Sequence, residues 1–380
     1  MTHHPIFLDY ASATPVAPEV LRAMQPFFTD NFYNPSSLYH QARSIRDVID
    51  HCRDQVAMSI GAHSDEIVFT TGGTEADNLA LFGVMRAHTN KQKHIIVSAI
   101  EHQAILNSAQ ELERLGVRVS ILPVDQFGIV DLKRLAALIT TDTILVSVML
   151  ANNEIGVIQP LKEIAKLAHA HGSLLHTDAS QAFGLMPISV ALLHVDLLTI
   201  NSGKIYGPKG AGALYVKRKT VLHPQIFGGA QERSLRPGTE NVPAIVGFAK
   251  ACELVIANLA TEPERLKKLR DRLMVGVLKI PGTKLHGDYD CRLANNLNIG
   301  FTGVEGDALL LFLDEAGIMV SAGSACKATD VSPSHVLMAL GLTAKEAKSS
   351  LRFSLGRGTT EADIDYVLEL LPSIVERLRK

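Results

Sequence analysis

The chain is predicted to be an α/β protein with a mostly parallel, seven-stranded sheet and a smaller α+β domain. Three features of its 380 residues point there. Seven short apolar runs recur along the first two thirds of the chain. Segments of helical periodicity separate them. After about residue 250 the texture changes.

The seven runs are "EIVFT" (66–70), "KHIIVS" (93–98), "VRVSILPV" (117–124), "TILVSVML" (143–150), "SLLHT" (173–177), "DLLTI" (196–200) and "GALYV" (212–216). Continuous Val, Ile and Leu runs, in place of polar alternation, suggest strands covered on both faces. Between Ser37 and Gly61, apolar residues fall at Ile45, Val48, Ile49, Cys52, Val56 and Ile60, with a serine start and a glycine stop, predicting an amphipathic helix. Beyond residue 250, a charged helical stretch "TEPERLKKLRDRLMVGVLK" leads to "NNLNIGF", a helix "EGDALLLFLDEAG", a Gly/Ser loop and a terminal helix from Thr360. The expected division is a large domain over 15–255 and a small one built from 1–14 and 256–380. No internal repeat or low-complexity linker interrupts the chain.

Composition narrows the function classes. A hydrophobic content of 47% with 20% charged residues is globular, and a formal charge of -2 gives no bulk attraction to nucleic acid or anionic membrane. No apolar run reaches the length of a membrane span, and "MTHHPIFLDY" lacks the regions of a signal peptide, so a cytoplasmic protein is expected. The four cysteines (Cys52, Cys252, Cys291 and Cys326) form no CxxC pair, which argues against a zinc site or a disulfide framework. Cys52 and Cys252 fall in helical stripes and read as small buried hydrophobes. Cys291 is ambiguous.

Several segments that come after strands carry reactive side chains. "TTGGTEADN" (70–78) places Gly72, Gly73 and Thr74 at a strand–helix junction, where backbone N–H groups can receive an anion. "SAIEHQA" (98–104) sets His102 after a strand, and "ANNEIG" (151–156) offers Asn152 and Asn153 as donors to a ring or as turn formers. "LLHTDASQAFG" (174–184) puts Asp178 at a strand end, as a helix cap or a ligand-facing acid, with Gln181 three residues on. "NSGKIYGPKG" (201–210) isolates Lys204 between glycine turns in an order that does not fit a P-loop. Singly, none decides a chemistry. Together, an amine, an acid for a pyridinium nitrogen and a glycine-bounded phosphate cup are the requirements of pyridoxal 5'-phosphate (PLP). Finally, "SAGSACKATDVSPSH" (321–335) carries Cys326 in a small-residue segment expected to be mobile and exposed, with Lys327 favouring the thiolate.

The ordered motifs "YASATPV", "NPSS", "TTGGTEADNLA", "EHQAI", "NNEIGV", "TDASQAFG", "GKIYGPKG", "LRPGTEN", "GSAC" and "LRFSLGR" resemble those of cysteine desulfurases of the IscS/NifS type, across nearly the whole chain. The resemblance implies a fold-type-I PLP-dependent transferase of the class-V aminotransferase family. It further implies a homodimer that converts L-cysteine to L-alanine and leaves a persulfide on the protein. By that resemblance Lys204 is the Schiff-base lysine, Cys326 the persulfide nucleophile and His102 the stacking histidine. Gly73 and Thr74 match the phosphate turn, Asn153, Asp178 and Gln181 the ring contacts, and Thr239 the residue reaching the phosphate of the partner subunit. Arg352 matches the arginine that grips the substrate carboxylate, a bidentate task suited to guanidinium, with Asn153 beside it and Asn34 in support. The implied partners are L-cysteine and a sulfur-acceptor protein, a cluster scaffold or a thiolation carrier. No membrane, nucleic acid or resident metal is implied beyond a transient iron–sulfur contact at Cys326.

Three departures from the family pattern stand out. Asn201 occupies a position usually held by serine, and Gly203 stands where a histidine usually precedes the lysine, so Asn201 or Ser202 is expected to supply the missing phosphate donor. The chain stops at "VERLRK", without the extension that typical IscS proteins use to dock the scaffold. Lys327 replaces a common Ser or Thr. Rival readings are a selenocysteine lyase or C–S lyase on the same scaffold, or an inactive PLP-fold scaffold protein.

Overall fold

The computed structural model describes residues 5–88, 93–323 and 332–380. Cys326 and Lys327 therefore lie outside the described residues. In chain order the strands begin with β1 (Ile6–Phe7), β2 (Ile67–Thr70), β3 (His94–Ser98), β4 (Arg118–Leu122), β5 (Thr143–Ser147) and β6 (Leu174–Asp178). They continue with β7 (Leu197–Asn201), β8 (Gly212–Val216), β9 (Thr283–Leu285), β10 (Asn296–Phe301), β11 (Ile318–Met319) and β12 (Ser350–Ser354).

Each of the seven predicted apolar runs contributes a strand to one sheet, in the order β2-β8-β7-β6-β5-β3-β4. Only β8 runs against the rest, pairing antiparallel with both β2 and β7. The central strands β3, β5 and β8 are buried at every residue, as their unbroken apolar runs require. On one face, helices His40–Ser59, Leu161–Ala170 and Val242–Asn258 close a core containing Ile45, Ile49, Val56, Ile164 and Phe248. On the other, helices Gly73–Ala87 and Gln103–Arg114 pack Leu79, Val84, Ile105 and Leu112 against Val68, Ile95 and Leu214. This is the three-layer arrangement expected of alternating strands and helices.

The edge strand β2 would expose unpaired backbone groups. Glu232 covers it: its carboxylate accepts Phe69 N at 2.8 Å while Arg53 grips both oxygens at 2.6 Å.

A second core gathers Ile6 and Leu8 with residues 266–375, including Leu273, Leu297, Ile299, Phe301, Phe353 and Val367. Its centre is β10, antiparallel to β9 and β12, covered by helices Glu262–Val277, Gly306–Glu315 and Glu361–Arg379. The N-terminal β1 joins this part of the molecule through parallel pairing with β11. Helix Val242–Asn258 belongs to the first core and runs to Asn258, slightly past residue 255. Cys52 and Cys252 are buried, and burial pushes the Cys52 thiol up to about 11, whereas Cys291 is exposed. Among the described residues no single helix is long and apolar enough to cross a membrane.

Candidate active site

Strands β7, β6, β5 and β3 run parallel, and β2 shares their direction. Their carboxyl ends therefore lie along one edge, the place where open α/β sheets bind ligands. The segment after each of these strands contributes to a single cleft.

After β2 the chain turns at Gly72, whose φ of +150° disfavours any residue with a Cβ. Across the sheet, a Cβ on Gly212 would lie 2.8 Å from the Gly72 Cα, so two glycines let the turn sit directly on β8. Helix Gly73–Ala87 starts there and presents its unpaired first-turn N–H groups at the cleft, where Gly73 and Thr74 form the wall. A Cβ on Gly73 would stand 3.2 Å from the Ser180 Oγ, a buried hydroxyl with no hydrogen-bond partner among the described residues.

After β3, His102 caps helix Gln103–Arg114, its Nδ1 accepting Ala104 N at 3.1 Å. That bond leaves Nε2 as the proton-bearing nitrogen of the neutral ring. After β5, Asn152 makes the turn: Oδ1 accepts Glu154 N and Ile155 N, and Nδ2 donates to Ile100 O. Asn153 is thereby turned into the cleft wall. At the end of β6, Asp178 accepts Ser180 N at 2.9 Å and lines the cleft, as does Gln181, whose Nε2 donates to Ala11 O.

After β7, Asn201 Oδ1 accepts Gly203 N, and the chain enters a short 3-10 turn that carries Lys204. The lysine Nζ reaches the N-terminal segment, donating to Ala11 O at 2.7 Å and Ser12 O at 2.6 Å. That segment is laced to the same turn by Thr14 Oγ1, which donates to Gly203 O and accepts Tyr206 N. From β12 of the second core, Arg352 enters the opposite wall. It is 1% exposed, with Nη1 on Asn153 O at 3.0 Å, Nη2 on Asp9 Oδ1 at 2.6 Å and Nε without a partner among the described residues.

The cleft thus brings together Gly73, Thr74, His102, Asn153, Asp178, Gln181, Asn201, Lys204 and Arg352. Ser202 and Gly203 sit behind it. Ser202 is fully buried, with its Oγ turned toward Gly207, so Asn201 is the one of the two expected donors that faces the cleft. Asn34 is exposed and uses its Oδ1 on Ser36 N, and Thr239 is likewise at the surface. Neither lines the cleft of this chain. Sequence reasoning singled out neither the carbonyls of Ala11 and Ser12 nor Asp77, Glu154 and His335, all of which belong to the wall. Asp77 falls within "TTGGTEADN", four residues after Gly73 and so on the same helix face, a spacing that could have marked it.

Two buried acids, Asp77 and Glu101, lie within reach of the Asp178 charge. Burial, and then the neighbouring Asp178 charge, push the Asp77 carboxyl well above the usual carboxylate range, and burial raises Glu101 to about 8. His102 is held down chiefly by burial, with Lys204 and His335 pushing the same way and Asp178 opposing. Behind them His176, on β6, is fully buried between Ser147 Oγ at 2.8 Å and Thr199 Oγ1 at 3.2 Å, and burial lowers it to about 3. A free histidine titrates near 6.5, so between these values the unfolded chain binds the proton and the folded one does not. Stability from this group is complete above about pH 6.5 and is lost as pH falls toward 3, by up to about 1.4 kcal/mol per pH unit. Denaturant titrations at pH 7 and pH 5 should therefore show a larger acid loss for wild type than for His176→Gln.

Comparison with known proteins places this geometry. The family model described as "Aminotransferase class-V" matches residues 6–367. The chain is 48% identical over 374 residues to cysteine desulfurase IscS of Methanosarcina thermophila, covering 98% of this chain and 93% of that protein. It is 48% identical over 375 residues to cysteine desulfurase IscS of Dictyoglomus turgidum, covering 98% and 95%. A solved structure titled "NIFS-LIKE PROTEIN" superposes with a TM-score of 0.93 at 34% identity, covering 99% of this chain and 100% of that one. The resemblance read from the ordered motifs and the expected α/β fold are both supported by these matches, and the chain belongs to the class-V aminotransferase family, alongside the IscS- and NifS-type cysteine desulfurases.

Proposed function

We propose that the protein is a PLP-dependent cysteine desulfurase, converting L-cysteine to L-alanine and taking the sulfur onto Cys326 for delivery to an acceptor protein. The observation that carries this reading is the convergence of Lys204, Asp178, the Gly73–Thr74 helix start and Arg352 on one cleft. The residues present suit the cofactor. A phosphate fits the helix start, where Gly73 keeps the approach open and the unpartnered Ser180 hydroxyl supplies a donor. Asp178 is the acid for the ring nitrogen, and Asn201 is the donor beside the phosphate turn.

When bound, PLP supplies an electron sink for charge developing at the substrate α-carbon. The chain supplies everything around it. Lys204 would hold the cofactor aldehyde and, as a free amine, would take the substrate α-proton and return it. His102 would stack over the cofactor ring, and Asn153 and Gln181 would bond its substituents. Arg352, held in orientation by Asp9 and Asn153 O, receives the substrate carboxylate. The Cys326 thiolate attacks the substrate sulfur, forming an S–S bond as the C–S bond breaks; the C–S electron pair passes to the β-carbon, which takes a proton to become the methyl group of alanine. Thr239, exposed on this chain, reaches the cofactor phosphate of a second copy in a homodimer, and the second core acts as a small domain carrying Arg352 and Cys326. The acceptor is a cluster scaffold or a thiolation carrier in the cytoplasm.

The test is direct. Protein supplied with PLP should turn yellow and form alanine from L-cysteine in step with protein-bound sulfur. A colourless protein after PLP addition would sink the cofactor assignment. Alanine made from L-selenocysteine but not from L-cysteine would replace the reading with a selenocysteine lyase.

A further inference from the structure

A second imidazole, His335, lines the cleft with His102. It opens the short helix His335–Ala339, whose Val336 and Leu337 are buried against Ile100, Met149 and Ile155 beneath the cleft wall. The helix start is fixed by Ser334, whose Oγ accepts Leu337 N at 3.2 Å and donates to Glu154 Oε2 at 2.5 Å. His335 is therefore held from its own side of the cleft before its ring makes any contact.

Both ring nitrogens are then spent on the two neighbours of His102. Nε2 lies 2.9 Å from Glu101 O, and Nδ1 lies 3.3 Å from Gln103 Nε2. A carbonyl can only accept, so Nε2 carries the proton. In the neutral ring Nδ1 is then an acceptor, matching the amide N–H that Gln103 offers. The two bonds are mutually consistent in one tautomer, and they straddle His102 in sequence. His102 is itself fixed through Nδ1 on Ala104 N, so the orientation of its ring depends on the backbone from 101 to 104. With both nitrogens engaged by protein, His335 has none left for substrate.

We propose that His335 is a positioning residue for His102: it clamps residues 101 and 103 and thereby sets the plane of the His102 ring in the cleft. The inference rests on the reading of His102 as the ring that stacks on the cofactor. Its experimental signature is a change in how the bound cofactor is held, separate from any loss of fold.

The experiment compares PLP-loaded full-length wild type with His335→Leu, His335→Gln, His102→Gln and the double variant His102→Gln/His335→Leu. Leucine fills similar volume without a donor, and should lower kcat for alanine formation roughly 10- to 100-fold, the scale of a small misplacement of a reacting group. KM for L-cysteine should change by no more than about twofold, because substrate binding is left to Arg352. The visible circular dichroism of the bound cofactor should change in the same variant. Glutamine, whose amide can still donate to Glu101 O, should restore most of kcat and the dichroism. In the His102→Gln background the His335→Leu change should cost little more, since the two act through one ring. If His335→Leu does not fold, Gln103→Leu, which breaks one of the two bonds and leaves His335 in place, replaces it in the same cycle. Additive losses in the double variant, or unchanged dichroism and kcat in the leucine variant, would overturn the proposal. If His102→Gln alone leaves kcat and dichroism intact, the reading of His102 falls first, and the proposal with it.

Discussion

Lys204→Ala is expected to lower alanine formation from L-cysteine roughly 10⁴-fold or more, because in the proposed mechanism one amine serves both to hold the cofactor and to move the α-proton. The structure adds a second expectation. Lys204 donates to Ala11 O and Ser12 O; on truncation Ala11 O keeps its bond from Gln181 Nε2 and Ser12 O loses the lysine donor. A loss of about 1 kcal/mol in stability should accompany the loss of activity. The two effects separate experimentally. Denaturation midpoints report the carbonyls, and visible absorbance after dialysis against PLP reports the covalent hold. A small exogenous amine should restore part of the proton transfer at the substrate α-carbon without restoring the colour of the cofactor-loaded resting protein. Lys204→Arg keeps the charge near the two carbonyls but lacks a nucleophilic amine, so it should recover stability and not activity. Wild-type rates from Lys204→Ala would remove the lysine from the mechanism.

The parts of this site that could be read from the sequence are those tied to strand ends. A short, β-branched apolar run such as "TILVS" reads as a strand covered on both faces, and the loop leaving the end of such a strand lies at the ligand edge of a parallel sheet. That logic located the segments of Gly73, His102, Asn153, Asp178 and Lys204, and the structure sets them around one cleft. It could not divide the work within a segment. "ANNEIG" offered two asparagines, and only coordinates show Asn152 building the turn while Asn153 faces the cleft. Likewise "NSG" offered two donors, and the local 3-10 turn sends Ser202 toward Gly207.

Other parts were not legible for a different reason. The acceptors of the Lys204 amine are backbone carbonyls, which carry no residue signature. The pairing of β1 with β11 joins Ile6 to Ile318, and two-residue strands are too short for a period to show. The contact of His335 with Gln103 spans 232 residues. Periodicity is a local signal, and such closures depend on how the second core docks on the first. That docking also explains why Arg352, on a strand of the second core, can donate to the Asn153 carbonyl on a loop of the first.

Cys326→Ser should abolish sulfur transfer while leaving the rest of the site intact. A thiolate can take a sulfur atom and hold it as a persulfide, whereas a serine hydroxyl is both a far weaker nucleophile near pH 7 and unable to form that bond. None of the groups proposed to bind cofactor and substrate carboxylate is altered: Asp178, Asn201, Lys204 and Arg352 line the cleft and are unchanged in the variant. The variant should therefore turn yellow with PLP, and L-cysteine should still perturb its visible spectrum with an apparent affinity within about twofold of wild type. Protein-bound sulfur, measured by alkylation and mass spectrometry after L-cysteine addition, should be absent from the variant and present at Cys326 in wild type. Cys291, exposed in the loop between β9 and β10, is the internal control. Cys291→Ser should leave both alanine formation and bound sulfur unchanged, and sulfur that persists in Cys326→Ser but disappears in Cys291→Ser would move the acceptor role to that thiol.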